Sequence, residues 1–218
     1  MTHPRLTDLR LAMFDWDGTL FDSFTLSYNS AVEIFRRFSL PPPPEETYRD
    51  EISANFIEFY RKYGIPPEIT HDKLNEIRKR FFLQHWQGAV LNDAAEKVLL
   101  ECKNLRILTA IVSAEVPAIL NSRLTELKLL PLIDRVRGGA WPKENALRET
   151  LEFFKVEAGN SFYADDTFDG MLAAKKVGIV TVGCTWGYNS KQHIMSANPD
   201  FIIDSLEELI EIIKNGEE

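Results

Sequence analysis

The sequence predicts an α/β protein, a doubly wound parallel sheet with a block of helices inserted after its first strand. Three observations carry this. Short apolar, β-branched runs alternate with amphipathic helical stretches from residue 92 onward, the pattern of β-α units in a parallel sheet. Before that alternation, residues 21–89 show helical periodicity and no strand pattern. The first apolar run ends in two carboxylates, Asp15 and Asp17, followed by Gly18 and Thr19. Open α/β sheets bind their ligands at such carboxyl ends of strands.

Taken in order, residues 10–14 form a buried strand. After Ser23, Ala31, Ile34, Phe35 and Phe38 share one helical face, and Pro41–Pro44 then block helix and impose an extended connection. Ile52, Phe56, Phe59, Tyr60 and Tyr63 make a second, aromatic face, stopped at Gly64. Leu74, Ile77, Phe81, Phe82 and Trp86 mark a third helix, with Thr70 as its N-cap. Asp93 and Glu96 have capping-box spacing for a helix to Lys103. Leu105–Val112 reads as the second buried strand, and Pro117 opens a helix carrying Leu120, Leu124 and Leu127. Arg135–Arg137 is a short strand, followed by a helix with Leu147, Leu151 and Phe154 inward. Ser161–Ala164 is a strand, and Met171–Val177 a helix ended by Gly178. Ile179–Val182 and Phe201–Ile203 are the last strands, before a helix capped by Ser205 and Glu208 that carries Leu206, Leu209, Ile210 and Ile213. Two domains are expected: residues 1–20 with 90–218, and an inserted helical unit, 21–89.

Hydrophobic residues at 44% and charged residues at 27% are ordinary for a globular chain of 218 residues, long enough for one good core and a smaller appendage. The net charge of −8 disfavours nucleic acid as a partner, because phosphate backbones need a positive surface. Cys102 and Cys184 lack metal-type spacing and read as reduced thiols. The amino terminus has no apolar leader and no run reaches membrane-span length, so a cytoplasmic, membrane-free protein is expected. His3, His71, His85 and His193 show no triad or ligand spacing.

In a strand, residues i and i+2 point to one face, so Asp15 and Asp17 can reach one site. Two carboxylates 4 Å apart repel by about 1 kcal/mol in water and by about 4 at an effective dielectric near 20. A cation, a shared proton or a reaction would justify that placement; an ordinary Asp-Gly turn is the plain alternative. Three further sites fall at strand ends or helix starts: Ser113 after the second strand, Lys143 before a helix, and Asp165, Asp166 and Asp169 after the fourth. Each alone is explained by capping or solvation. Together, acids, a hydroxyl and a lysine make a magnesium and phosphate site.

Asp15-x-Asp17-Gly-Thr-Leu-Phe-Asp-Ser, then Ser113, Lys143 and Asp165-Asp166-x-x-Asp169, resembles the haloacid dehalogenase (HAD) superfamily over nearly the whole chain. Val182–Tyr188 and Pro199–Leu209 are similar to its phosphoglycolate phosphatase-like branch. The resemblance implies a Rossmann-like core with an inserted helical cap and a magnesium-dependent phosphatase acting on a small phosphate ester. It implies Asp15 as nucleophile forming an aspartyl-phosphate and Asp17 as general acid, then base. Ser113 and Lys143 would bind phosphoryl oxygens. Asp15, the Asp17 carbonyl and Asp165 would hold magnesium, with Asp166 and Asp169 in support. Superfamily dehalogenases lack the second acid, so Asp17 favours a phosphatase or a sugar phosphomutase. A catalytically weak binding protein is the remaining alternative.

Cap bases Arg36, Arg37, Arg49, Arg61 and Lys62 are candidates to meet an anionic substrate, with solvated charge as the plain alternative. Three departures from the pattern stand out: Ala164 where glycine is usual, Asn92-Asp93 in place of a common Pro-Gly, and Ala114-Glu115, which bring a carboxylate next to Ser113.

Overall fold

The computed structural model describes residues 8–53 and 56–215. The amino-terminal stretch read above as lacking a leader therefore lies largely outside the described residues. Strands β1 (Leu11–Phe14), β4 (Leu108–Val112), β5 (Arg135–Arg137), β6 (Ser161–Asp165), β7 (Val180–Cys184) and β8 (Phe201–Ile203) form one sheet in the order β5-β4-β1-β6-β7-β8. Every neighbouring pair in it is parallel. This is the sheet the alternating pattern predicts. Two antiparallel residues each, β2 (Phe21–Asp22) and β3 (Val90–Leu91), make a ribbon that sequence reading did not find, because two residues carry no periodicity.

Strand side chains alternate between two cores. Ala12, Phe14, Ile111, Phe162, Ala164 and Val182 pack on the face covered by α5 (Ala95–Asn104), α6 (Pro117–Glu126) and α10 (Glu208–Asn215). Leu11, Met13, Ala110, Val112 and Tyr163 pack on the other, under α7 (Lys143–Phe154) and α8 (Phe168–Val177). Fully burying a Val, Leu, Ile, Phe or Met side chain is worth about 1.5–3 kcal/mol relative to exposure. A third cluster consists of residues between Phe24 and Ile77. It is the core of the cap, built on α1 (Phe24–Arg37), α2 (Glu45–Glu51), α3 (Phe56–Lys62) and α4 (His71–His85).

Some expectations at this level need correction. The second cap helix is two helices, because Ile52 ends α2 with extended backbone (φ −68°, ψ 132°). Trp86 lies in a 3-10 turn after α4. Leu105–Ile107 are not strand: Leu105 caps α5, and Arg106 takes φ 59° to reverse the chain into β4. The Asp93–Glu96 capping box does not form; the Asn92 side chain accepts from the Ala94 amide at 3.1 Å instead. A short helix, α9 (Lys191–Ser196), was not predicted, although Ser190 caps it by accepting from the His193 amide. The final helix starts at Glu208, whose carboxylate accepts from the amides of Asp204 and Ser205. Among the described residues, no helix is long and apolar enough to cross a membrane.

Candidate active site

Register delivers the acids to one edge. Phe14 lies opposite both Ile111 of β4 and Ala164 of β6, so Asp15, Val112 and Asp165 stand side by side at the carboxyl end of the sheet. The Asp15 amide donates to the Ala164 carbonyl at 2.9 Å, which keeps it in the strand direction. By alternation, Asp15 follows Leu11 and Met13, and Asp165 follows Tyr163, onto the α7–α8 face. Lys143, the first residue of α7, meets them there. Its Nζ lies 3.1 Å from Asp15 Oδ1, without hydrogen-bond alignment, and it pairs with Asp165. Asp165 also accepts from the Thr167 amide at 2.7 Å and hydroxyl at 2.6 Å, which fixes its carboxylate.

Asp166 is held separately. It accepts from Thr19 Oγ1 at 3.0 Å and from the Tyr188 amide. One oxygen each from Asp15, Asp165 and Asp166 lie within 4.8 Å of one another, all three residues buried. Glycine is required around Asp166. A Cβ at Gly18 or Gly187 would sit 2.1 Å from Asp166 Oδ2, and Gly18 also holds φ +85°. Gly187→Ala is therefore expected to displace Asp166 and weaken divalent-cation binding by about 10- to 100-fold, the range for lost ligand support. Isothermal titration with the metal alone, beside a circular dichroism spectrum, checks this.

Three buried carboxylates against one lysine leave excess negative charge with little water to screen it. Burial first, then the Asp165 and Asp17 charges against the pull of Lys143, push Asp15 up to about 7. Burial and the neighbouring Asp165 and Asp15 likewise raise Asp166 well above the carboxylate range. Lys143 is raised: burial acts to lower it, and Asp15 and Asp165 more than offset that. An all-oxygen, acid-rich, partly unsatisfied donor set fits a hard divalent cation.

Asp17 lies outside this carboxylate cluster. Past the strand, it bridges to Phe21 and accepts from the Ser23 hydroxyl at 2.7 Å. Burial and the Glu115 carboxylate raise it to about 7, while the Ser23 hydrogen bond, Arg78 and Arg123 oppose the rise. Ser113 is buried at the end of β4, its Oγ accepting from the Glu115 amide at 3.1 Å. Tyr163 supports that strand end by donating to the Val112 carbonyl at 2.9 Å.

A cavity of about 420 Å³ lies between core and cap. Of the site residues named from sequence, Asp15, Asp17, Ser113, Lys143 and Asp169 line it, and Asp165 and Asp166 do not. The five cap bases named from sequence do not line it. Arg36 and Arg37 pair with Glu33, and Lys62 with Glu51. Arg61 donates to the Pro67 carbonyl, and Arg49 stacks on Phe24 while donating to the Gly187 carbonyl. The cap bases that do line the cavity, Arg78 and Lys79, were not singled out from sequence; His71, given no role from its spacing, lines it too and stacks on Phe56. Ala164 does not crowd the loop, since its side chain is in the sheet core. Glu115 faces the cavity, with its Oε1 accepting from the Val116 amide at 2.6 Å.

The chain has relatives among known proteins over nearly its whole length. It is 27% identical to phosphoglycolate phosphatase of Vibrio parahaemolyticus over 94% of this chain and 96% of that protein. It is 27% identical to phosphoglycolate phosphatase of Vibrio cholerae over 95% and 98%. Among solved structures, a predicted phosphatase from Clostridium acetobutylicum superposes with TM-score 0.81 at 20% identity, covering 94% of this chain and 98% of that one. A predicted phosphoglycolate phosphatase from Haemophilus somnus gives 0.75 at 19% identity, with 95% and 99% covered. Residues 12–184, from the first strand through the last acidic strand end and beyond, match the haloacid dehalogenase-like hydrolases, and the chain belongs to that family.

Proposed function

We propose that this hydrolase is a magnesium-dependent phosphatase that releases phosphate from a small phosphorylated metabolite, phosphoglycolate foremost, through a phosphorylated Asp15. The observation that carries the reading is the convergence of Asp15, Asp17, Ser113 and Lys143 on one cavity beside a buried three-carboxylate cluster. The phosphoglycolate phosphatases among its relatives point to the substrate.

The residues divide the work as follows. An Asp15 carboxylate oxygen attacks phosphorus as the bond to the leaving oxygen breaks, giving an acyl phosphate. Asp17 donates its proton to that oxygen, then takes one from the water that attacks the acyl phosphate. That second step restores Asp15 as a carboxylate and yields inorganic phosphate. An acid raised to about 7 is matched to both transfers near neutral pH. Ser113 and Lys143 hold phosphoryl oxygens, and Lys143 offsets charge on Asp15. Asp15, Asp165 and Asp166 would hold the cation together with the Asp17 carbonyl, and Asp169 would support the loop. When bound, the cation neutralises charge on the transferring phosphoryl group. Residues 21–89 act as the cap and limit water in the cavity.

Phosphate release is measured on a panel of phosphate esters, after chelation and with magnesium restored. Release that requires the cation and includes phosphoglycolate is expected. No release from any ester with cation present overturns the reading.

A further inference from the structure

Arg78 stands apart from every other cap base. It lies on α4 and lines the same cavity as Asp15, Ser113 and Lys143. Its Nε is buried with no hydrogen-bond partner. Among the described residues it joins no ion pair within 4.0 Å and donates no side-chain hydrogen bond. The face of its guanidinium is occupied, 4.6 Å from the centroid of the Phe56 ring. Nearby phenols and the Glu115 carboxylate favour its charged form from beyond ion-pair distance, but the buried Nε–H still lacks an acceptor, which is costly. The edge left free by stacking is a fork of N–H groups, the geometry that takes a planar carboxylate through two parallel bonds.

We propose that Arg78 is the specificity residue that reads a carboxylate on the leaving group of the substrate, at the end away from the phosphate. The inference rests on the phosphatase reading above. A carboxylate suits the site better than a second phosphate. Glu115 and Asp17 already place negative charge on this cavity, and a monoanion asks Arg78 to balance one charge only. Lys79 lines the cavity too and adds positive potential on that side. The aromatic walls, Tyr48, Phe56 and Tyr188, exclude water and strengthen whatever charge pairing forms there.

The test compares two esters of similar size, phosphoglycolate and ethyl phosphate, on the full chain with magnesium. The quantity read is the ratio of their kcat/KM values. The wild-type ratio is expected to favour phosphoglycolate by about 10- to 100-fold, the worth of a buried charge-assisted pair. In Arg78→Gln the ratio falls toward one, through KM for phosphoglycolate, and Arg78→Lys, which keeps the charge without the fork, restores part of it. A wild-type ratio near one overturns the inference even if Arg78→Gln fails to fold. So does a ratio that Arg78→Gln leaves intact. In both cases phosphate is still released, so the phosphatase reading stands. Absence of phosphate release from both esters overturns that reading and the inference with it.

Discussion

Asp15→Asn is expected to lower kcat for phosphate release by about 10⁴-fold or more, the scale seen when the nucleophile of a covalent mechanism is removed. The amide keeps the shape of the carboxylate and its place in the strand direction, where the backbone amide donates to Ala164. What it loses is the attacking oxygen and the charge that Lys143 faces at 3.1 Å. Stability moves the opposite way. The folded state holds Asp15 at about 7 against an ordinary value of 3.8, so its protonated form is favoured by folding. That contribution is fully present below pH 4 and is lost as pH rises through about 7. Under chelation, wild type should therefore lose stability between about pH 4 and pH 7. Asp15→Asn, which carries no charge to bury, should melt a few degrees higher than wild type at pH 8 and close to it at pH 4. Thermal melts with and without magnesium check both, since the cation should raise the wild-type Tm and lose most of that effect in the variant. Undiminished release by Asp15→Asn would refute its role as nucleophile.

Replacing Asp17 by Asn separates proton transfer from attack. A positioned acid contributes about 10²- to 10⁴-fold, so kcat for an alkyl ester should fall within that range. Because the missing group serves the departing oxygen, the loss should be smaller for p-nitrophenyl phosphate, whose leaving group needs no proton. Phosphorylation of Asp15 should then outrun its hydrolysis, which also uses Asp17. A pre-steady-state burst of p-nitrophenolate detects this. Equal losses on both esters would place Asp17 in the structure of the site and not in the transfer. The Asp17–Ser23 hydrogen bond of 2.7 Å is open to an amide as well, so the loop should hold.

The fold was legible because the strands are short buried runs separated by periodic helices, and parallel pairing then forces alternate covering of the two faces. Asp15, Ser113 and Asp165 were legible for a related reason: each directly follows or ends a strand, and parallel register carries strand ends to a common edge. Asp166 was read as a support, yet its neighbours Thr19, Gly187 and Tyr188 bring it into the carboxylate cluster. Two of those three, Gly187 and Tyr188, come from a loop 21 and 22 residues further along, a tertiary relation that spacing does not encode. Arg78 was invisible for the same reason. Away from its Leu74–Ile77 face its helix is polar, and which part of that polar surface lines the cavity is decided by how the cap docks. The cap bases chosen from sequence instead find carboxylates or carbonyls nearby, and short-range partners of that kind look the same in sequence as free charges.

Asn189 links two parts of the molecule usually considered apart. The buried side chain accepts from the Phe168 amide at the start of α8, at 2.8 Å, just beyond Asp165 and Asp166. Its amide donates to the carbonyls of Arg49 and Ile52 in the cap, at 2.9 and 3.2 Å. Any motion that lifts this part of the cap from the core must break those bonds and leave a buried amide unpaired beside the acidic loop. If that acidic loop holds a cation, its affinity and the cap's position are coupled, and thermodynamic reciprocity fixes the sign both ways. If seating the cap tightens the hold on the cation by some factor, binding the cation favours the seated cap by the same factor.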